Sequence, residues 1–301
     1  MTSGLDERTI VFESHRSRLF GIAYRMTGSV GDAEDACQDA WLRWSAVDLD
    51  QVDNAEAFLV SVVTRLGIDR ARSAAKRRET YVGPSVAEPL VERDSPVGGT
   101  SPILQPEQAA ELADSLTLAF LVLLDQLSPT ERAVFLLHDV FGCPFQQVAE
   151  AVGQSPAAVR QMASRARRRI DSERVDLRRG RSPDDEQIIA GLLVAITSGD
   201  IEATMRFLAP DIVQLDDGGS LVRAGRRPIV GPERVARLWV NLAKRVTPEQ
   251  RFEVTTVNGG PGIVFSDTTG VYMVVAIGVG PDGLVRRINA QLNPEKLAHL
   301  N

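Results

Sequence analysis

Apolar and polar positions alternate along this chain with periods that change from one stretch to the next. The clearest pattern lies between Phe145 and Ile170, where Phe145, Val148, Ala149 and Val152 recur at i, i+3, i+4 and i+7, one face of a short helix. Gly153 interrupts it. Ser155 can cap a following helix, and Pro156 suits a first helical position, where no N–H is needed. Val159, Ala163, Ala166 and Ile170 then form a second buried stripe. At ~100° per residue, Ala157, Gln161, Ser164 and Arg168 point away from that stripe, with Arg160 and Arg165 beside them. Two short helices on a glycine turn, the second presenting amides, hydroxyls and guanidiniums, form a helix-turn-helix able to read a major groove. A helical hairpin with a solvated basic face is the plainer alternative. Agreement of cap, turn and both stripes favours the DNA reader.

Residues from Thr9 to Glu79 carry the same helical period. A first helix with Phe12, Leu19, Phe20, Ala23 and Met26 ends near Gly28. Asp32 can cap a second, in which Ala33, Cys37, Ala40 and Trp44 face inward and Glu34, Asp35, Gln38, Asp39 and Arg43 face out. Asn54 can cap a third, which buries Phe58, Val62 and Leu66 and ends in Arg65, Arg70, Arg72, Lys76, Arg77 and Arg78. Residues 81–106 lose all periodicity and are rich in Pro, Gly, Ser and acidic residues, the composition of a mobile connector. Helices resume over 107–127. Ser128-Pro129-Thr130-Glu131 has the form of a capping box and opens a helix with Val134, Phe135 and Leu137.

After Pro183 the period shifts toward two. A helix over 184–197 and a short one to Leu208 precede strands at 212–215 and 221–224, placed around an Asp217-Gly218-Gly219 hairpin turn. A helix over 233–245 is followed by strands at 252–257, 263–266, 271–279 and 284–292, separated by glycine-containing turns. The expected organisation is multidomain: an all-α domain at 9–80, a linker at 81–106, a second all-α domain with the helix-turn-helix at 107–175, and an α+β domain at 184–301.

Charge sharpens this picture. The 301 residues carry a net charge of −6, yet arginines crowd 65–78 and 160–181, so a polyanion partner suits two patches despite the acidic total. Two cysteines, Cys37 and Cys143, support neither a disulfide framework nor a zinc site. The first residues lack a signal-peptide pattern and the longest apolar runs are too short to span a bilayer, which points to a cytoplasmic protein with no membrane association.

The segment DAEDACQDAWLRW, followed by AFLVSVVTRLGIDRARSAAKRRE and then the helix-turn-helix, resembles the extracytoplasmic-function sigma factors of the sigma-70 type. The resemblance implies the roles that follow. Asp35, Gln38, Asp39, Trp41 and Arg43 match the stretch that docks on the clamp helices of core RNA polymerase, whose flap is a further partner. The 50–56 loop with Asn54, and the helix through Arg65, Asp69, Arg70, Arg72, Lys76 and Arg77, match the part that melts and captures the −10 element of promoter DNA. The recognition-helix residues Ser155, Ala157, Arg160, Gln161, Ser164, Arg165 and Arg168 match the −35 reader.

The ααββαβββ order of the last third resembles the cone-shaped SnoaL-like fold, and the whole chain resembles the sigma-factor branch that carries such a tail. Tyr81 through Pro84 and Glu88-Pro89-Leu90 match that branch's linker, but Ser85-Val86-Ala87 stands where its Trp-Leu-Pro core belongs. Asp217, Gly218 and Gly219 match the start of its glycine loop, with Ser220-Leu221 in place of Gly-Lys, and Asn293, Pro294, Glu295, Lys296 and Leu297 match its tail. The resemblance implies an intramolecular contact between linker and C-terminal domain that regulates transcription. Tyr81, Pro84, Asp217, Gly218, Gly219, Asn293, Pro294 and Lys296 are its expected residues.

No enzyme activity and no cofactor are expected. The tail holds one histidine, His299, and its Asp211, Asp216, Asp217 and Asp267 fall at strand ends or turns, where solvated carboxylates belong. The readings left beside a sigma factor are a ligand-responsive helix-turn-helix regulator and, behind it, a cone-fold enzyme with a DNA-binding appendage.

Overall fold

The structure is a computed structural model that describes residues 3–78, 81, 83–92, 117–173 and 183–301. The chain divides into two units, one built from the N-terminal helices and the helix-turn-helix, the other from the C-terminal third together with the start of the linker.

In the first unit, α1 (Ser3–Thr27) and α2 (Val30–Ala46) pack through the expected stripes, whereas α3 (Ala55–Arg78) buries Leu59, Val60, Val62, Val63 and Ile68 and leaves the expected Phe58 and Leu66 half-buried. Phe12, Leu19, Ala23, Met26, Ala33, Cys37, Ala40 and Trp44 are buried. Burial pushes the Cys37 thiol up to about 12, so it behaves as a small core side chain. Ser29, not Asp32, caps α2: its hydroxyl accepts from the Asp32 N–H, and Asp32 sits in the first turn, where its charge favours the helix dipole. Asn54 caps α3 through the Ala57 N–H at 3.0 Å.

Of the expected 107–127 helix, residues 107–116 lie outside the described residues, and α4 covers Leu118–Leu124. The capping box at Ser128 is complete, with side chain and backbone exchanged between Ser128 and Glu131, and it opens α5 (Pro129–Phe135). Hydrogen bonding to Ser128 holds the Glu131 carboxyl below its usual range. A π-helical turn (Leu136–Val140) follows, then α6 (Phe145–Val152) and α7 (Pro156–Glu173). Gly153 ends α6 at φ 69°, a left-handed geometry that suits glycine.

The second unit contains α8 (Pro183–Thr197), α9 (Ile201–Met205) and α10 (Pro232–Ala243) with a seven-stranded sheet. Its strands are β1 (Val91–Glu92), β2 (Leu208–Asp217), β3 (Ile229–Val230), β4 (Arg251–Val257), β5 (Gly260–Asp267), β6 (Gly270–Val279) and β7 (Val285–Gln291), in the order β1-β4-β5-β6-β7-β2-β3. All pairs are antiparallel except β2 with β7. This is the α+β cone expected for the last third. One core joins Ile189 and Leu192 of α8, Val235 and Trp239 of α10, and the alternating Met273, Val275, Ile277 and Val279 of β6. The opposite parity, Val274, Asn289, Gln291 and Asp217, is buried as well.

Two sequence expectations change here. No strand forms at 221–224. After Asp217 the chain turns at once, with the Val222 N–H on the Gly218 carbonyl, and β2 pairs instead with β3. The turn is so tight that a Cβ at Gly218 would stand 2.3 Å from the Val222 carbonyl oxygen. The second change concerns the linker. Its described part, through Glu92, is no free connector: Val91 and Glu92 pair with Val257 and Thr256 at the sheet edge.

The capping box gives the scaffold of the helix-turn-helix its defined start. Ser128→Ala is expected to cost about 1 kcal/mol, seen in urea unfolding as a lower midpoint with unchanged slope. An unchanged midpoint would show the box to be dispensable.

Candidate functional site

The sequence-derived residues fall on three surfaces and in one buried cluster. On α2, Asp35, Gln38 and Arg43 are exposed. Trp41 is half-buried, its ring edge-on to Phe12 at 5.2 Å, so it offers one edge rather than a whole ring. Asp39 is engaged within the fold, its carboxylate 2.8 Å from the Arg70 guanidinium. A core-docking candidate and a −10 candidate therefore hold each other.

Along α3, Asn54 is spent on its cap, Asp69 and Arg72 form an exposed pair at 3.4 Å, and Lys76 is exposed. The Arg77 side chain lies outside the described residues. Arg65 reaches α6, donating from Nε to the Ala151 carbonyl at 3.1 Å and from Nη2 to that of Glu150 at 2.9 Å.

On α7, Ser155, Ala157, Arg160, Gln161, Ser164, Arg165 and Arg168 are all exposed, while Val159, Ala163, Ala166 and Ile170 are buried. Ser155 also caps the helix through the Ala158 N–H. Three of the arginines are steadied by neighbours. Arg160 lies over the Phe145 ring at 5.5 Å, Arg165 stands 3.7 Å from Glu131, and Arg168 returns to the Ser164 carbonyl at 3.3 Å. Arg167, absent from the sequence-derived set, is bonded to Asp139.

The buried cluster centres on Asp217, which was expected to be solvated and has no exposed surface. Parallel pairing sets Asp217 beside Gln291, on the sheet face away from the core described above. One carboxylate oxygen accepts from the Tyr81 hydroxyl at 2.5 Å and the Gly219 N–H at 3.1 Å. The other accepts from Lys296 Nζ at 2.8 Å, the Val86 N–H at 2.8 Å and Gln291 Nε2 at 3.3 Å. Asn293 donates to the Tyr81 hydroxyl at 3.0 Å and caps the short helix α11 (Pro294–Leu297) through the Glu295 N–H. Burial first, and the bond to Asp217 second, raise the Tyr81 hydroxyl above its ordinary value and keep it a donor.

The two glycines serve space and conformation. A Cβ on Gly219, at φ 59°, would stand 2.6 Å from Asn293 Nδ2, and Gly218 has the tight turn described above. Pro294 is exposed at the first position of α11 and Pro84 is half-buried; neither supplies a polar contact.

Several members escape the sequence. Val86, at the position of the missing motif, is wholly buried; its N–H goes to Asp217 and its carbonyl accepts from Lys296 and Gln291. Ser85 accepts from Lys296 at 2.9 Å. His299 meets the Pro89 carbonyl at 2.8 Å, and Asn258 exchanges two bonds with Leu90. A backbone N–H or carbonyl can be supplied by almost any residue, so no side-chain signature marks it in advance. Only the positions between matched flanks pointed there.

Known proteins match the helical part in two stretches. Sigma-70 region 2 matches residues 11–77 and Sigma-70 region 4 matches residues 117–170, which defines the helical part as sigma-70 in type. The ECF RNA polymerase sigma factor SigJ of Mycobacterium tuberculosis is 37% identical over 262 residues, covering 86% of this chain and 81% of that protein. A probable ECF RNA polymerase sigma factor of the same species, SigI, is 29% identical over 294 residues, covering 97% and 95%. The crystal structure of the M. tuberculosis SigJ protein superposes with a TM-score of 0.74 at 32% identity, over 96% of this chain and 99% of that one. The chain belongs to the extracytoplasmic-function RNA polymerase sigma factors. Factors of this family work with core RNA polymerase on promoter DNA. Among the described residues, no helix is long and apolar enough to cross a membrane.

Replacing one member of a buried, hydrogen-bonded ion pair leaves the other uncompensated. Asp217→Asn is expected to cost about 3 kcal/mol and to raise the fraction of chains with a released linker ~100-fold. Limited proteolysis within residues 83–92 is the readout; an unchanged cleavage rate would show that Asp217 does not hold the linker.

Proposed function

We propose that this sigma factor engages its partners through three separate surfaces, with the linker clamp as their regulator. The outward side of α2, through Asp35, Gln38, Arg43 and the free edge of Trp41, docks on the clamp helices of core polymerase. The basic end of α3 with the preceding loop captures the strand-separated −10 element, where a cationic groove tracks the backbone. The exposed face of α7 enters the major groove of the −35 element, with the flap of polymerase beside this domain. The observation that carries the reading is on α7: all seven residues expected to face DNA are exposed, six on an 18-residue helix whose opposite stripe is buried and Ser155 at its cap. A recognition helix needs that division between a core stripe and a polar reading face.

The division of labour on α7 follows from side-chain chemistry. Arg160 and Arg168 can each bond a guanine edge bidentately, whereas Gln161 suits adenine. Arg165, shared with Glu131, is better placed to position the helix on phosphate.

The linker clamp bears on the spacing of the two DNA readers. Lys296, Tyr81 and Asp217 tie the residues just after α3 to the C-terminal cone, so a change at the cone alters the freedom of the segment that leads to the −35 reader. A bias of ~1–3 kcal/mol between clamped and released states would change activity several-fold or more.

Two experiments test these assignments. In cells expressing a tagged full-length chain, Asp35→Arg with Arg43→Glu is expected to cut co-purification of core polymerase at least ~10-fold, equivalent to ~1.4 kcal/mol, without lowering the melting temperature. Normal capture would remove α2 from the docking role. Separately, Lys296→Met keeps side-chain volume but discharges the clamp. Transcription from a cognate promoter by the reconstituted holoenzyme is expected to change at least ~3-fold, and an unchanged rate alongside a released linker would leave the clamp structural only.

A further inference from the structure

The π-helical turn between α5 and α6 sends two consecutive side chains toward the −35 reader. Its defining bond, from the Phe141 N–H to the Leu136 carbonyl at 2.9 Å, takes in one residue more than an α-turn. Asp139 of this turn is bonded to Arg167 on α7. His138 lies on the ring of Phe145, the first residue of α6, with centroids 3.7 Å apart and planes at 29°. A carbonyl only accepts, so the 2.9 Å contact of His138 Nδ1 with the Cys143 carbonyl puts the ring proton on Nδ1 and fixes the imidazole plane. Phe145 is thereby seated on a fixed ring, and the Arg160 guanidinium stands 5.5 Å from its centroid.

Burial sets Phe145 apart from its neighbours on the same stripe. Val148 and Ala149 are buried in the core, whereas Phe145 is half-buried and Arg160 is exposed.

The kind of partner decides what an arginine has left to offer. One held by a carboxylate spends part of its fork of N–H donors on that pair. An aromatic ring attracts the cation through its negative face and takes none of those donors. Arg165 and Arg167 are held in the first way, by Glu131 and Asp139. Among the described residues, no carboxylate pairs with Arg160. Arg160 is therefore ordered before DNA arrives, with its fork still available for a guanine edge, and less rotamer freedom remains to be lost on binding. We infer that Phe145, seated by His138, is a positioning residue that sets base discrimination by Arg160. The inference rests on α7 being the −35 reader and on Arg160 meeting a base edge.

Base selection by the reconstituted holoenzyme tests it, with promoter duplexes randomised at the −35 element and sequenced after capture. Arg160→Ala is expected to flatten the preference at one base pair about 5-fold or more. Phe145→Leu keeps an apolar side chain without the ring face. It is expected to weaken preference at that same pair about 2- to 5-fold and to leave the other pairs as they were. Phe145→Tyr restores the face and is expected to restore the preference. With Arg160→Ala already present, Phe145→Leu is expected to change discrimination no further. Discrimination is a ratio between sequences, so a smaller folded fraction lowers capture of all of them and leaves the ratio intact. His138→Ala removes the seat and is expected to act at the same pair, by less; no effect there overturns the part given to His138.

An unchanged preference in Phe145→Leu, where Arg160→Ala flattens one pair, overturns the positioning role and leaves Arg160 a reader. A loss spread evenly over every pair, or an equal further loss in the Arg160→Ala background, overturns it as well, because Phe145 then only supports the helix. If Arg160→Ala alters no pair, Arg160 is not a base reader, and the role of Phe145 falls with that assignment.

Discussion

A charge without exposed surface has to be matched by its own chain, and in the second unit that requirement falls on Asp217. Its donors come from the linker, the turn after β2, strand β7 and the last helix. The linker lies far in sequence from the others, so the carboxylate acts as a meeting point between it and the C-terminal segments. The arrangement is specific because it is costly to satisfy in part: an intact set is stable, while a set missing one member leaves buried charge behind. The sheet explains why a meeting point is needed. Its core-facing parity is covered by α8 and α10, and the opposite parity near Gln291 and Val274 is as buried as the core. The linker and α11 serve as the cover that a second layer of helices would provide in a larger fold.

The first unit solves a different problem with a related device. It buries Arg25 completely, with a hydrogen bond to the Gly21 carbonyl at 3.0 Å, and other arginines, Arg18, Arg65 and Arg132, fasten helices at or beside their ends. Main-chain carbonyls make undemanding partners, since they exist wherever a helix stops and do not depend on which side chain occupies the turn. In the Asp39–Arg70 pair, each of two partner-facing candidates neutralises the other.

How much of this was legible in the sequence depended on whether side chains or backbone carried the signal. The helix-turn-helix was legible because Val159, Ala163, Ala166 and Ile170 repeat at helical spacing and Gly153 marks the turn. The capping box at Ser128 and the cap at Asn54 were legible for the same reason: specific side chains perform them. The strand expected at 221–224 failed because Asp-Gly-Gly is equally the sequence of a hairpin and of an abrupt reversal. Close approach between Gly218 and Val222, a property of space and not of order, decides between the two. The same ambiguity made Asp217 look solvated. At the clamp, family motifs pointed to Tyr81, Asn293 and Lys296, but the contribution of Val86 is two backbone groups. The absent Trp-Leu-Pro made that stretch appear weakened where its main chain is in fact most heavily used.

Pairing of Val91 and Glu92 with β4 also fixes a length. Where the linker is held at the sheet edge, the covalent chain from Arg93 to Leu116 is what separates the clamp from Thr117 and α4. At ~3.3–3.6 Å per residue, those 24 residues extend to ~80–85 Å at most. Freeing Tyr81 through Glu92 would add 12 residues, or ~40 Å more. Under the proposed function, the clamp is a stop on a cord, bearing on how far along a promoter the second reader can travel from the first.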